Sequence, residues 1–256
     1  MEEAGALNAA FSARGLNKKF GSLVVAHEIA FALPQGARHA LIGPNGAGKT
    51  TLINLVTGVL TPDSGQVVLG GEDITHFAPA QRVRKGLVRT FQINSLFARL
   101  TPLEAVTLAV CERRGVAASW WRRLPDFSEA IAEAGEILSS LQLRSCATRV
   151  TSELPYGEQR LLEIALALAT KPSMLLLDEP AAGVPKDESA QLFKAIEGLS
   201  NDLSILFIEH DMDLVFRFAS KIIVMAGGRI LVEGAPAEIA RNALVREVYL
   251  GKARHD

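Results

Sequence analysis

The sequence predicts an α/β fold: a mainly parallel sheet flanked by helices, with an inserted helical subdomain. Three observations predict it. Short, fully apolar strands such as Met174–Leu177 and Ser204–Ile208 alternate with helical stretches, which implies a parallel sheet covered on both faces. A glycine-rich loop, Gly43 to Thr50, joins a predicted strand to a predicted helix. From about residue 93 to 166 the pattern is helical. The expected division is therefore a core of 1–92 and 167–256 around an insertion of 93–166 within one domain, 1–256.

The first third reads as strands. Val24–Leu33 is rich in β-branched and apolar residues and stops at the turn Pro34-Gln35-Gly36. Ala37–Ile42 is a short strand that runs straight into the glycine-rich loop, and Thr51–Val59 is helical. Pro62-Asp63-Ser64-Gly65 is a turn before a strand over Gln66–Leu69. Further on, Thr101 can cap a helix, Pro102 suits its first position and Glu104 completes a capping box. Ala130, Ile131, Ala134, Ile137, Leu138 and Leu141 recur at three- and four-residue spacing, so Ser128–Leu141 is an amphipathic helix. Gln159–Ala169 is a buried helix. Strand and helix then alternate: Met174–Leu177, Glu188–Leu199, Ser204–Ile208 and Met212–Phe218. Lys221–Met225 and Arg229–Val232 are two strands around the turn Ala226-Gly227-Gly228.

Composition bounds the function. About half of the 256 residues are apolar, enough for a sizeable core. A formal charge of −1 gives no electrostatic footprint for nucleic acid, and no nucleic-acid partner is expected. Cys111 and Cys146 have no Cys or His partner at metal spacing, which argues against a disulfide framework or a zinc site. Met1 to Ala10 does not read as a signal peptide. The longest apolar stretches, such as Leu161–Ala169, are too short for a membrane span or interrupted, here by Glu163. A soluble protein is expected, with any membrane role coming through a partner. Trp120-Trp121-Arg122-Arg123 reads either as rings covering the insertion's small core or as a cluster resting on a membrane surface or partner.

Two segments carry chemistry. Gly43-Pro44-Asn45-Gly46-Ala47-Gly48-Lys49-Thr50, running on into Thr51, fits the phosphate-binding pattern Gly-x4-Gly-Lys-Thr and marks a P-loop NTPase core. Glycines let backbone N–H groups curl around phosphate oxygens without Cβ clashes. The helix that follows adds the positive end of its dipole. Lys49 places a cation on the β- and γ-phosphates, and Thr50 offers a hydroxyl to Mg²⁺. The second segment, Met174 to Glu179, is an apolar strand ending in two carboxylates, and strand tips of α/β sheets are where ligands sit. Asp178 can orient Mg²⁺ or its water. Glu179 can act as general base toward the attacking water. ATP and Mg²⁺ are the expected cofactors.

At this point the chain resembles the ATP-binding cassette (ABC) family over roughly residues 11–251, and the resemblance implies an antiparallel β subdomain beside the mainly parallel core. Phe20 stands where the family places an aromatic on adenine. Gln92, in Thr90-Phe91-Gln92, matches the glutamine that touches Mg²⁺ and water and links core to insertion. Leu154-Pro155-Tyr156-Gly157-Glu158 occupies the signature position, usually Leu-Ser-Gly-Gly-Gln, which binds the γ-phosphate held by the opposite subunit. Pro155 and Tyr156 depart from that form. Ala181-Ala182-Gly183-Val184-Pro185 falls where the family has a loop running between subunits, with Pro185 in place of the usual Asp or Asn. His210 matches the histidine that contacts the γ-phosphate and steadies Glu179.

Several segments look like the ATPases of branched-chain (hydrophobic) amino-acid importers: Pro155-Tyr156-Gly157, Glu179-Pro180-Ala181-Ala182-Gly183, Glu209-His210-Asp211-Met212 and the ending Glu247-Val248-Tyr249-Leu250-Gly251. The resemblance implies an ATPase on the cytoplasmic face of the cell membrane, peripheral to it. The implied partners are transmembrane permease subunits, a second ATPase subunit in a hetero- or homodimer and, indirectly, a solute-binding protein. The alternatives are a urea, aromatic-acid or lipid-export system, a non-transport ABC ATPase, and a catalytically dead regulatory cassette. A P-loop kinase or GTPase is the alternative outside the family, and the GTPase motif Asn-Lys-x-Asp is missing from the sequence.

Overall fold

The computed structural model describes residues 9–90, 96–116 and 127–250. Its described residues group into two compact units. One draws on the described residues among 9–89, 173–179 and 201–250, the other on those among 90–172 and 180–200.

The first unit holds two sheets. Strands β1 (Ala9–Phe20), β2 (Leu23–Pro34), β4 (Ser64–Leu69) and β5 (Glu72–Asp73) form an antiparallel sheet in the order β2-β1-β4-β5. Strands β3 (Arg38–Ile42), β6 (Leu87–Arg89), β7 (Met174–Asp178), β8 (Ser204–Ile208), β9 (Lys221–Ala226) and β10 (Arg229–Gly234) form the larger sheet, ordered β10-β9-β3-β8-β7-β6. It is parallel from β9 to β6, with β10 as an antiparallel edge. Every residue of β8 and Met174 to Leu177 of β7 are buried, as strands covered on both faces require.

Helix α1 (Lys49–Thr57) is the centre of this unit's core. Its Leu52, Ile53, Leu55 and Val56 share one cluster with Phe11, Leu16 and Ile29 of the antiparallel sheet and with Leu41, Leu176, Leu206 and Ile223 of the larger one. The α1 C-terminus is closed by Gly58 at φ +79 and by the buried Arg82 of α2 (Pro79–Arg84), whose guanidinium donates to the carbonyls of Leu55 and Val56. A Cβ at Gly58 would meet Arg82 Nε and the Phe77 carbonyl at 2.7 Å, so only glycine leaves room for the guanidinium. Helices α7 (Met212–Phe218), α8 (Pro236–Arg241) and α9 (Ala243–Leu250) complete the unit.

The second unit contains α3 (Pro102–Arg113), α4 (Ser128–Ser140), α5 (Tyr156–Leu168) and α6 (Lys186–Glu197), with short 3₁₀ turns at Arg144–Cys146 and Thr151–Glu153. The capping box at the start of α3 is present. Thr101 Oγ1 accepts from Glu104 N at 3.2 Å, and Glu104 Oε2 accepts from Thr101 N at 2.8 Å. Helices α3 and α4 are joined by Glu133, which takes Arg113 and Arg114 at 2.7 Å and Lys171 at 3.2 Å. Burial pushes the Glu133 carboxyl up, and the bonds from Arg113, Arg114 and Lys171 outweigh it to hold the group at about 2. Trp120 to Arg123 lie outside the described residues.

Candidate nucleotide site

The phosphate-binding loop leaves β3 at Ile42 and enters α1 at Lys49. Gly43 is packed so closely that a Cβ would collide with the Met225 carbonyl of the neighbouring β9. Gly48, at φ +102, is the residue before the helix, and a Cβ there would lie 2.9 Å from the Val25 carbonyl. No side chain caps α1, so the N–H groups of its first turn have no side-chain partner at the cap. Lys49 is buried, and its Nζ donates back to the carbonyls of Gly43 at 2.6 Å and Pro44 at 3.2 Å. Burial lowers the pKa of Lys49, while the charges of Glu179 and Asp178 oppose that shift. Both acids therefore stand close enough to this ammonium for their fields to reach it.

The acidic residues come from the tip of β7. Asp178 closes the strand, and its Oδ2 accepts from Arg89 Nη2 at 2.6 Å. Glu179 follows with φ +50, a left-handed conformation that a non-glycine residue adopts only against strain. Its backbone N–H donates to the Ile208 carbonyl of β8 at 3.0 Å. Its Oε1 lies 2.8 Å from His210 Nε2. His210 is itself pinned on both sides. Its N–H donates to the side chain of the buried Glu209, and the next residue, Asp211, caps α7 by accepting from Asp213 N and Leu214 N.

A cavity of about 550 Å³ joins these groups. The loop from Asn45 to Thr51 forms one wall, and Glu179 and His210 stand on it too. Leu23, Val24 and Val25 of β2 and the glycine turn Gly227-Gly228 complete the lining. That volume falls within the range of small-ligand pockets. The lining combines polar and glycine residues with the aliphatic Leu23, Val24 and Val25, a composition suited to a triphosphate joined to a base. For Mg²⁺ the donors also fit. Among the described residues no three His, Cys, Asp or Glu side chains converge on one point. Mg²⁺ needs no such cage, because one or two protein oxygens plus substrate phosphates suffice.

A profile of the ABC transporter family matches residues 26–182, and one described as branched-chain amino acid ATP-binding cassette transporter matches residues 229–255. The chain is 39% identical over 246 residues to the high-affinity branched-chain amino acid transport ATP-binding protein LivG of Salmonella typhimurium, covering 93% of this chain and 96% of that one. It is 38% identical over 248 residues to the corresponding protein BraF of Pseudomonas aeruginosa, covering 93% and 96%. The chain belongs to the ABC transporter family. A solved ATP-binding cassette of an ABC transporter in its ADP conformation superposes with a TM-score of 0.82 at 31% identity, covering 95% of this chain and 99% of that one. The α/β core with an antiparallel sheet expected from the sequence is thus the fold of an ABC ATPase.

Measured against the sequence expectations for an ABC subunit, the structure brings Asn45 to Thr51, Glu179 and His210 to one cavity. Asp178 stands beside it, paired with Arg89. Phe20 lies on the exposed end of β1, its ring 5.8 Å from Lys18 Nζ, and is not part of the lining. Gln92 lies outside the described residues. The signature segment belongs to the second unit: Leu154 is buried, Pro155 precedes α5, and Tyr156, Gly157 and Glu158 form the helix's first turn. That turn touches the segment Ala181–Pro185 of the same unit. Gly183 packs against the Tyr156 ring, and Arg160 Nη2 donates to the Ala182 carbonyl at 3.4 Å. Sequence reasoning did not single out Leu23 to Val25, Gly227-Gly228 or Arg89. Only the glycine pair left a signal, and it read as a turn.

Proposed function

We propose that this chain is the ATP-hydrolysing subunit of an importer for branched-chain or related hydrophobic amino acids. The reading assigns it to the cytoplasmic face of the cell membrane, bound to permease subunits and to a second ATPase subunit, with a solute-binding protein acting indirectly. Among the described residues no helix is long and apolar enough to cross a membrane, and the reading makes its attachment peripheral. One observation carries the solute class: relatives that transport branched-chain amino acids match this chain at 38–39% identity over about its whole length.

In this reading the loop from Gly43 to Thr51 holds the phosphates through backbone N–H groups, and Lys49 neutralises the β- and γ-phosphates. Thr50, Asp178 and Gln92 would hold Mg²⁺, which supplies charge neutralisation at the transferring phosphoryl group. Glu179 takes the proton of the water that attacks the γ-phosphorus, while the bridging oxygen departs with ADP. His210 holds the Glu179 carboxylate in place through the 2.8 Å bond. Phe20 would contact the base. Leu154 to Glu158 would complete the partner's site, and the insertion 93–166 would carry dimer closure to the permease.

Complementation tests the assignment. A strain lacking this chain should lose leucine uptake, the wild-type chain should restore it, and Lys49→Ala should not. Normal leucine uptake without the chain would overturn the solute assignment. Unchanged ATP affinity in Lys49→Ala would overturn the site.

A further inference from the structure

Arg89 has no part in the reading above, yet it is the residue most intimately tied to the metal-side carboxylate. It ends β6, one residue past Val88 and in parallel register with Leu176 of β7. Its guanidinium spans two functional elements. Nη2 donates to Asp178 Oδ2 at 2.6 Å, and Nη1 donates to Asn54 Oδ1 at 3.0 Å. Asn54 sits on α1, the helix that begins with Lys49 and Thr50. The Arg89 and Asp178 side chains are 16% and 15% exposed, so the pair is largely shielded from water and from salt.

We infer that Arg89 is a positioning residue for the Mg²⁺-side carboxylate: it fixes Asp178 through Oδ2, presents Oδ1 toward the metal, and locks that carboxylate in register with α1 through Asn54. The inference rests on the proposed ATPase site. The chemistry behind it is simple. A carboxylate has two oxygens and about four lone-pair directions, and the contact with Arg89 uses one oxygen. A planar guanidinium holds its partners at fixed angles, which a lysine ammonium does not. A carboxylate that serves a metal is typically oriented by an outer hydrogen-bond partner, and removal of such a partner weakens metal binding roughly 10- to 100-fold. Arg89 adds a second constraint. Because one guanidinium grips both Asp178 and Asn54, the carboxylate at the strand tip and the hydroxyl of Thr50 at the helix start are set relative to each other by one rigid group.

Binding rather than turnover tests this. Mn²⁺ affinity is measured by electron paramagnetic resonance on the full chain loaded with a non-hydrolysable ATP analogue. Nucleotide affinity is measured separately in EDTA. For Arg89→Met the expected result is a roughly 10- to 100-fold loss of Mn²⁺ affinity with metal-free nucleotide affinity within about twofold of wild type. Arg89→Lys, which keeps the charge and loses the fork, should fall between the two. Asn54→Ala should shift Mn²⁺ affinity in the same direction by a smaller factor. Should Arg89→Met fail to fold, Arg89→Lys and Asn54→Ala carry the test. Unchanged or tighter Mn²⁺ binding in the folded variants overturns the inference, because Arg89 would then be a bystander or a competitor of the metal. Equal loss of metal and metal-free nucleotide binding overturns it too, since the role would be general support. A wild-type chain that binds no nucleotide at all would instead sink the ATPase reading on which the inference rests.

Discussion

Glu179 holds a backbone conformation that glycine favours, and that gives a test in which the sign of the effect decides. Its φ of +50 lies in the left-handed region, where a Cβ costs about 1–2 kcal/mol. Glu179→Ala removes the carboxylate and the contact to His210 but keeps that strain. Glu179→Gly removes the same groups and also relieves it, against a backbone-entropy penalty of about 0.5–1 kcal/mol for glycine. The glycine variant should therefore be the more stable of the two by up to about 1.5 kcal/mol. In a chain of this size each kcal/mol is a rise of about 2–4 °C in Tm. At a residue of ordinary negative φ the order would be reversed. Urea and thermal melts of the two variants read the difference directly. Glu179→Gln keeps an oxygen for His210 and the same backbone but cannot take a proton. It should bind ATP normally and hydrolyse it roughly 10²- to 10⁴-fold more slowly, about 3–5 kcal/mol of barrier. An alanine variant more stable than the glycine one would refute the strain argument. Near-normal turnover in Glu179→Gln would remove the residue from its assigned role.

Arg82, 1% exposed, donates to the carbonyls of Leu55, Val56, Thr75 and Phe77, so Arg82→Met should lose about 3–5 kcal/mol in urea denaturation; a loss within experimental error would show that water replaces the guanidinium. His39, buried in β3, has its pKa lowered to about 4, first by desolvation and then by the charge of Lys221. It binds fewer protons folded than unfolded between those values. Stability should thus fall by about 3 kcal/mol as pH drops from 6.5 toward 4, and His39→Gln should flatten that part of the profile. Gly228 donates to the Ala47 carbonyl at 3.0 Å, and a Cβ there would meet the Val25 carbonyl at 2.8 Å at a φ of +74. Gly228→Ala should therefore displace the phosphate loop and weaken ATP binding by about tenfold or more, near 1.4 kcal/mol, as read by titration calorimetry.

What the sequence made legible was local. The buried strands Met174–Leu177 and Ser204–Ile208, the helix Met212–Phe218 and the capping box at Thr101 each carry their signal within a few residues, and each appears where expected. The phosphate loop was legible for the same reason: glycines, lysine and hydroxyl must follow one another for the chemistry to work. Arg82 was not legible. An arginine in a short surface-like helix reads as solvated. Only the tertiary fold shows it closing the C-terminus of α1, some 26 residues away in sequence. Leu23 to Val25 escaped notice likewise, because an aliphatic strand start gives no sign that it will line a cavity.

Arg89 and Glu179 share the deeper reason. Both act at the junction of β7 with its neighbours, and their chemistry depends on parallel pairing between strands distant in sequence: β6 beside β7, and β7 beside β8. That pairing sets Arg89 within 2.6 Å of Asp178 and lets the Glu179 N–H reach the Ile208 carbonyl while its side chain turns to His210. A sequence motif gives the acids. The sheet's register decides which oxygen faces a cation, which faces a histidine, and how much backbone strain holds them there. If that is correct, a substitution that weakens the β6–β7 pairing without touching any charged group, such as Val88→Pro, should loosen Mn²⁺ binding before it alters metal-free nucleotide affinity. Parallel loss of both would show that register contributes only to folding.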